Sequence, residues 1–247
     1  MNDTIKNDKS ISIILVTYNA ADTLQTCLDS IYRQAYPNLQ IIVMDGASVD
    51  GTVDILKANS ERITYWKSEP DNGIYYAMNK ALGYVITDWV YFSGADDELL
   101  PDFSSMAMQL SKPDCIYYGN VLVRGEKNGG PTNALTHTMH NICQQAMIYP
   151  ANVFKKYKYD TTYYIAADYV LNIRCWADKN FCFCYLDFTI AKYNHTGISS
   201  VIKDERFEKD RLKLVFRYHG FKIWLKLVTQ RWKEIKQHAK YKKLKHR

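Results

Sequence analysis

Between residues 11 and about 112 the chain repeats one pattern four times: a short apolar run, a polar loop, then a segment with apolar residues at helical spacing. Few folds accept this rhythm. Successive strand, loop and helix units predict a parallel α/β sheet with right-handed crossovers. The first run, Ile11–Thr17 (ISIILVT), has the near-continuous β-branched character of a strand buried on both faces. Asp22–Gln34 then sets Leu24, Cys27, Leu28 and Ile31 on one helical face, and Pro37 closes the connection. Leu39–Met44, Ile63–Trp66 and Trp89–Phe92 are the next predicted strands, with helices over Gly51–Asn59 and Ile74–Tyr84. The expected class is α/β, a Rossmann-like, mostly parallel sheet with helices on both faces.

In such sheets ligands bind beyond the carboxyl ends of the strands. The chain puts Thr17-Tyr18-Asn19, Asp45-Gly46, Asp71-Asn72-Gly73 and Asp96-Asp97 there. Four loops therefore converge on one predicted site. Past residue 113 the rhythm changes to short apolar runs (Cys115–Val123, Ala146–Tyr149, Phe181–Leu186, Thr189–Tyr193), a turn at Lys127–Gly130 and one clear helix over Tyr164–Trp176. This predicts a mixed, partly antiparallel second half. The expected organisation is a disordered N-terminus (1–10), a catalytic domain (11–205, split into a nucleotide-binding half 11–112 and an acceptor-binding half 113–205) and a C-terminal helical segment (206–247).

A chain of 247 residues can bury a full core without staples. Its six cysteines form no CxxC pair and read as reduced core residues. No apolar h-region follows the polar N-terminus, and no apolar run reaches the roughly 18 residues of a membrane span, so a cytoplasmic location is expected. Charge is concentrated at the end of the chain. From Lys222 to Arg247 ten Lys/Arg face the single acid Glu234, so the preceding residues carry net −3 of a chain total of +6. Phe221, Trp224, Leu225, Val228, Trp232 and Ile235 share one helical face there, with lysines elsewhere on the wheel. That composition suits a peripheral helix on the anionic inner face of the cytoplasmic membrane; a helix docked on the body is the alternative. Nucleic acid is not an expected partner, because the basic stretch stands outside any reader fold.

Asp96-Asp97, after the predicted strand ending Val90-Tyr91-Phe92, supplies the one or two carboxylates that Mg2+ or Mn2+ needs beside a diphosphate. As an isolated pair it reads equally as a solvated loop or a helix cap before Pro101. Six blocks in order decide the matter: ISIILVTYN, MDGASVDGT, SEPDNGIYYAMNKAL, GADDEL, AADYVL and the GIS of Gly197–Ser199. With them the chain resembles the family 2 glycosyltransferases of GT-A fold, in particular bacterial surface-polysaccharide transferases of the O-antigen and colanic-acid type.

The resemblance implies an inverting transfer of a hexose from a UDP-sugar to a hydroxyl of a lipid-linked or polysaccharide acceptor. It assigns donor binding to Thr17, Tyr18, Asn19, Asp45, Asp71, Gly73 and Asp96, metal binding to Asp97, and the general base to Asp168 in AADY. His195, just ahead of the GIS block, is a second candidate ligand for the metal or diphosphate. Three positions depart from the family pattern: Gly94 stands where an acid is common, Ala81 where NKG is usual, and Gln144 in place of a His. Two rivals are a sugar nucleotidyltransferase, which VTYNAADT disfavours by lacking a Gly-rich basic loop, and a non-catalytic membrane-associated scaffold. The sequence leaves the oligomeric state open.

Overall fold

The computed structural model describes residues 9–194 and 202–245. Strands β1 (Ile11–Thr17), β2 (Leu39–Asp45), β3 (Tyr65–Ser68) and β4 (Trp89–Gly94) pair in parallel in the order β3-β2-β1-β4, with α1 (Leu24–Tyr32), α2 (Thr52–Ala58) and α3 (Ile74–Ala81) between them. The chain steps outward from β1 to β3 and then returns to the far side of β1. The order therefore reverses between β1 and β4, which opens a crevice at their carboxyl ends. Register sets Thr17 level with Asp45, Asp45 level with Ser68, and Val16 level with Gly94.

Alternation along β1 explains why both faces are covered. Ile11, Ile13 and Leu15 pack on Leu24, Cys27, Leu28 and Ile31 of α1, while Ile14 and Val16 pack on Tyr75 and Met78 of α3. Each such fully buried aliphatic side chain contributes roughly 1.5–3 kcal/mol relative to exposure. Ser12 is a polar residue within this apolar run. Its hydroxyl lies 2.5 Å from Gln40 Oε1 and 2.6 Å from Thr87 Oγ1, so its burial leaves that hydroxyl paired.

The remaining elements are β5 (Glu98–Leu99), α4 (Asp102–Ala107), β6 (Cys115–Val123), β7 (Glu126–Gly129), α5 (Ala134–Met139), β8 (Met147–Pro150), α6 (Asn152–Lys156), α7 (Ala167–Ala177), β9 (Cys182–Tyr193) and α8 (Glu205–Lys245). They continue the same sheet as β4-β8-β6-β9-β5, with β7 pairing β6. Because β8 runs antiparallel to both β4 and β6, the two halves share one sheet.

Three boundaries differ from expectation. Strand β3 starts at Tyr65, not Ile63, because the Thr64 hydroxyl accepts the Ile41 N–H and Ile63 turns into the core. The predicted turn at Lys127–Gly130 lies instead at Arg124-Gly125, where φ of +53° and +83° makes a two-residue hairpin, and Glu126–Gly129 is the return strand. Helix α7 begins at Ala167, not Tyr164. The Asp204 carboxylate accepts the N–H groups of Ile165 and Ala166 at 2.9 and 3.2 Å, holding the two residues ahead of the helix in a non-helical approach.

Helix α8 is broken at Gly220 (φ +76°, ψ +174°). Arg231 lies 3.3 Å from Glu208, although 23 residues of straight helix would span about 34 Å, so the second arm folds back on the first. Phe207, Val215 and Leu227 are buried. Arg211 donates to the carbonyls of Thr138 (2.8 Å) and Met139 (2.6 Å), satisfying the end of α5 with a cation.

Candidate active site

The site is assembled at the crevice from the ends of β1, β2 and β4 and the start of α7. Asp45 is almost fully buried, and its carboxylate accepts the Ser48 N–H (3.0 Å) and hydroxyl (2.5 Å) and the Ser68 hydroxyl (2.5 Å). Those contacts fix the loop after β2 and leave one acceptor position on Oδ1. Asn19, at φ +47°, donates its N–H to Ser48 Oγ and accepts the Val49 N–H, tying the loop after β1 to the loop after β2. Gly46 is pinched between Tyr18 and Asp71. A methyl group on its Cα would come within 3.2 Å of both side chains, so those three residues form one narrow slot. Tyr18 is exposed over it, and the buried Thr17 Oγ1 beneath is unpartnered. Asp71 accepts the Gly73 N–H at 2.7 Å, and Gly73 (φ +123°) lets the exposed Tyr164 ring approach so closely that a Cβ would meet it at 3.0 Å.

Asp96 and Asp97 converge over Gly94. A Cβ there would lie 2.9 Å from Asp96 Oδ1 and 3.0 Å from Asp97 Oδ2, so an acid at this position would collide with the pair. The departure at Gly94 thus has a steric reason. Asp97 accepts the Gly94 N–H (2.9 Å) and the Asn194 N–H (3.2 Å). Burial nevertheless pushes its carboxyl up to about 7, and the neighbouring Asp96 adds to the rise. Asp96, half-buried, is also raised by desolvation. Gln145 bonds Asp97, while Gln144 turns into the core against the Tyr159 hydroxyl at 2.7 Å and Met78. The position that departs from the family's His is therefore structural, and its neighbour reaches the site.

Asp168, in the first turn of α7, is half-buried. The Tyr75 hydroxyl lies 2.9 Å from Oδ1 and the Asn141 amide donates to Oδ2 at 2.6 Å. Burial raises its pKa, against these hydrogen bonds. The Cys143 thiol, on the segment before β8, is pushed up to about 12, first by burial and then by the negative charge of both Asp97 and Asp168. The two carboxylates thus flank Cys143. His195 and Gly197–Ser199 lie outside the described residues. Sequence reasoning assigned no site role to Asn141, Ser48, Ser68 or Tyr75. Ser48, Ser68 and Tyr75 stand inside the quoted blocks and Asn141 outside them, and all four are identified by what they touch.

The family model for glycosyl transferase family 2 matches residues 12–174, and the chain belongs to this family: it is a glycosyltransferase. A Mycobacterium tuberculosis protein described as "PGL/p-HBAD biosynthesis glycosyltransferase" is 32% identical over 238 residues, covering 91% of each chain. S. aureus TarS superposes with a TM-score of 0.71 at 15% identity, over 89% of this chain and 43% of that one, which shows the GT-A fold. The mannosyltransferase PcManGT of Pyrobaculum calidifontis, solved with GDP-Man and Mn2+, superposes at 0.60 with 18% identity, covering 85% and 63%.

The carboxylates at this site have the chemistry to hold a divalent cation. Two hard carboxylates converge over a bare Cα, and one of them is so desolvated that it ionises only near neutrality without a counter-charge. Among the described residues no three His, Cys, Asp or Glu side chains form an all-protein cage, the sparse donor set that suits an ion completed by phosphate oxygens and water.

Proposed function

We propose that the chain is an inverting hexosyltransferase that takes its sugar from a UDP-sugar and passes it to a hydroxyl of a lipid-linked or polysaccharide acceptor in bacterial surface-polysaccharide assembly. The observation that carries this reading is the meeting of Asp96 and Asp97 over Gly94, at the crevice into which Asp45 and Asp71 also open. In the proposed complex the free acceptor position on Asp45 takes an N–H of the base, Tyr18 covers the ring, and Asp96 orients the sugar. Asp97 with a bound Mg2+ or Mn2+ would neutralise charge on the departing diphosphate. Asp168 takes the acceptor hydroxyl proton as that oxygen attacks the anomeric carbon and the bond to the diphosphate breaks. Related structures support a nucleotide-sugar donor, since TarS 1–349 was solved with UDP-GlcNAc and PcManGT with GDP-Man.

A panel of UDP- and GDP-sugars with Mn2+ tests the donor by thermal shift. A UDP-sugar at a hundredfold its Kd should raise Tm by roughly 5–10 °C, from about 2.7 kcal/mol of linkage. No shift with any nucleotide sugar would remove the reading. Asp168→Asn should keep that shift and lose transfer by about 10²–10⁴-fold; unchanged turnover would reassign the base.

We further place the protein on the inner face of the cytoplasmic membrane. No described helix is long and apolar enough to span a bilayer. On the second arm of α8, however, Leu227 is buried while Phe221 (58% exposed), Leu225 (44%) and Trp232 (58%) form an exposed stripe beside exposed Lys222, Lys226, Lys233 and Lys236. Docked helix and membrane surface are therefore compatible readings of one element.

A further inference from the structure

The hydrogen bonds around Asp168 contain a count that does not close for an ionised carboxylate. The Tyr75 oxygen lies 2.7 Å from the Ile165 carbonyl and 2.9 Å from Asp168 Oδ1. A phenol has one proton, and neither a carbonyl nor a carboxylate can donate. With Asp168 charged, Tyr75 satisfies only one of the two. With Asp168 protonated, both bonds form at full strength: the carboxyl donates to the Tyr75 oxygen and Tyr75 donates to Ile165. The other carboxylate oxygen is treated differently. Asn141 Nδ2 can only donate, and its orientation follows from Asn172, whose Nδ2 faces both Asn141 Oδ1 (3.0 Å) and the Met147 thioether (3.4 Å), which can only accept, while its Oδ1 accepts the Tyr149 hydroxyl (2.9 Å). This polar chain runs through the core from β8 to α7 and ends on Oδ2.

Resting on the reading of Asp168 as the base, we propose that Asn141 and Tyr75 are positioning residues with separate tasks: Asn141 holds Oδ2 as an acceptor and favours the charged base, while Tyr75 turns its one proton between Ile165 O and Oδ1 and so serves both protonation states. Before transfer the Tyr75 proton points at Oδ1. When the acceptor hydroxyl proton arrives on the carboxyl, the Tyr75 proton turns to Ile165 and its oxygen receives the new O–H. The proton lost by the acceptor is the proton held by Asp168, and the electron pair of the broken sugar–phosphate bond leaves on the diphosphate, which takes up the negative charge that Asp168 gives up. Facing Asp168 are the phenols Tyr75 of α3, Tyr149 of β8, Tyr159 and Tyr169, together with the Cys143 thiol. The leading influences on its ionisation are burial and hydrogen bonds rather than a cation.

The two tasks give different titrations. Carboxyl 13C NMR of the full-length protein, with Asp168 assigned by loss of its signal in Asp168→Asn, reads them without a substrate. Asn141→Leu should raise the Asp168 pKa, weakening its ionisation by about tenfold or more, because a hydrogen bond to the charged form is lost. Tyr75→Phe, which keeps the ring packing, should shift it by less than half as much. Once a donor and acceptor are in hand, the acid limb of kcat/KM should move upward in the same order, with donor binding unchanged. An unshifted Asp168 in Asn141→Leu, or a Tyr75→Phe shift as large as that of Asn141→Leu, overturns the proposal. Should Asn141→Leu not fold, Asn141→Ser and the size of the Tyr75→Phe shift decide it. Failure here with intact nucleotide-sugar binding removes the proton arrangement alone; absence of nucleotide-sugar binding removes the functional reading and leaves the titration standing.

Discussion

Asp97, the metal ligand proposed above, opposes the stability of its own fold. Its carboxyl titrates near 7 in the folded chain against an ordinary 3.8, so the folded state binds the proton more tightly than the unfolded chain does. The stabilisation from that proton is fully present below about pH 4 and is lost as pH rises through 7. Asp97→Asn is neutral at every pH and should therefore raise Tm by several degrees at pH 8 and little at pH 4, in the absence of added metal. The same substitution should abolish the extra stabilisation that Mn2+ gives to a bound nucleotide sugar. Equal Tm values for variant and wild type at pH 8 would show that Asp97 is not strained by burial. Cation affinity should also rise as pH passes 7, since the ion competes with the proton for the same oxygens.

At the scale of elements, α8 separates what a helical wheel shows from what packing selects. The wheel groups Phe221, Trp224, Leu225, Val228 and Trp232, and the expectation was that this face either docks or meets a membrane. The structure buries Leu227, which is not in that group, and leaves Phe221, Leu225 and Trp232 exposed, with the Lys236 ammonium 3.3 Å above the Trp232 ring. Truncation after His219 would strip Leu227 from the body as well as the stripe, so point changes are the cleaner probe. Leu225→Asp with Trp232→Asp should cut flotation with anionic vesicles by more than tenfold, since burying each apolar side chain is worth roughly 1.5–3 kcal/mol, while leaving Tm within a degree or two. Undiminished flotation would take the membrane role away from this face. The hairpin at Arg124-Gly125 carries a similar lesson. Gly129-Gly130 looks like the stronger turn signal, yet the chain reverses at Arg124-Gly125, between the paired Val123 and Glu126, and Gly129 pairs with Asn120 in the return strand.

At the scale of the molecule, the antiparallel β8 between β4 and β6 makes one sheet of what the sequence presents as two halves. Splitting the chain after residue 112 would leave β4 an open, hydrophobic edge with buried Trp89 and Tyr91 uncovered. Heat or urea should therefore unfold both halves in one transition, with tryptophan fluorescence and far-UV circular dichroism coincident. Two separated transitions would instead show halves that fold alone.

The strand and helix identities of residues 11–94 and the acidic ends of the strands were legible in the sequence. Both depend on local periodicity and on residue types that only a few environments accept: a β-branched run buries itself, and a carboxylate stays at an edge. The resemblance to the family added Asp168 and the order of the loops. What the tertiary structure decided is everything that depends on partners distant in the chain: Asp204 starting α7, Arg231 meeting Glu208 across Gly220, Asn141 and Tyr75 reaching Asp168, and the bare Cα of Gly94 beneath Asp96 and Asp97. Hydrogen bonds and close approaches are fixed by distance in space, and a single sequence records distance only along the chain.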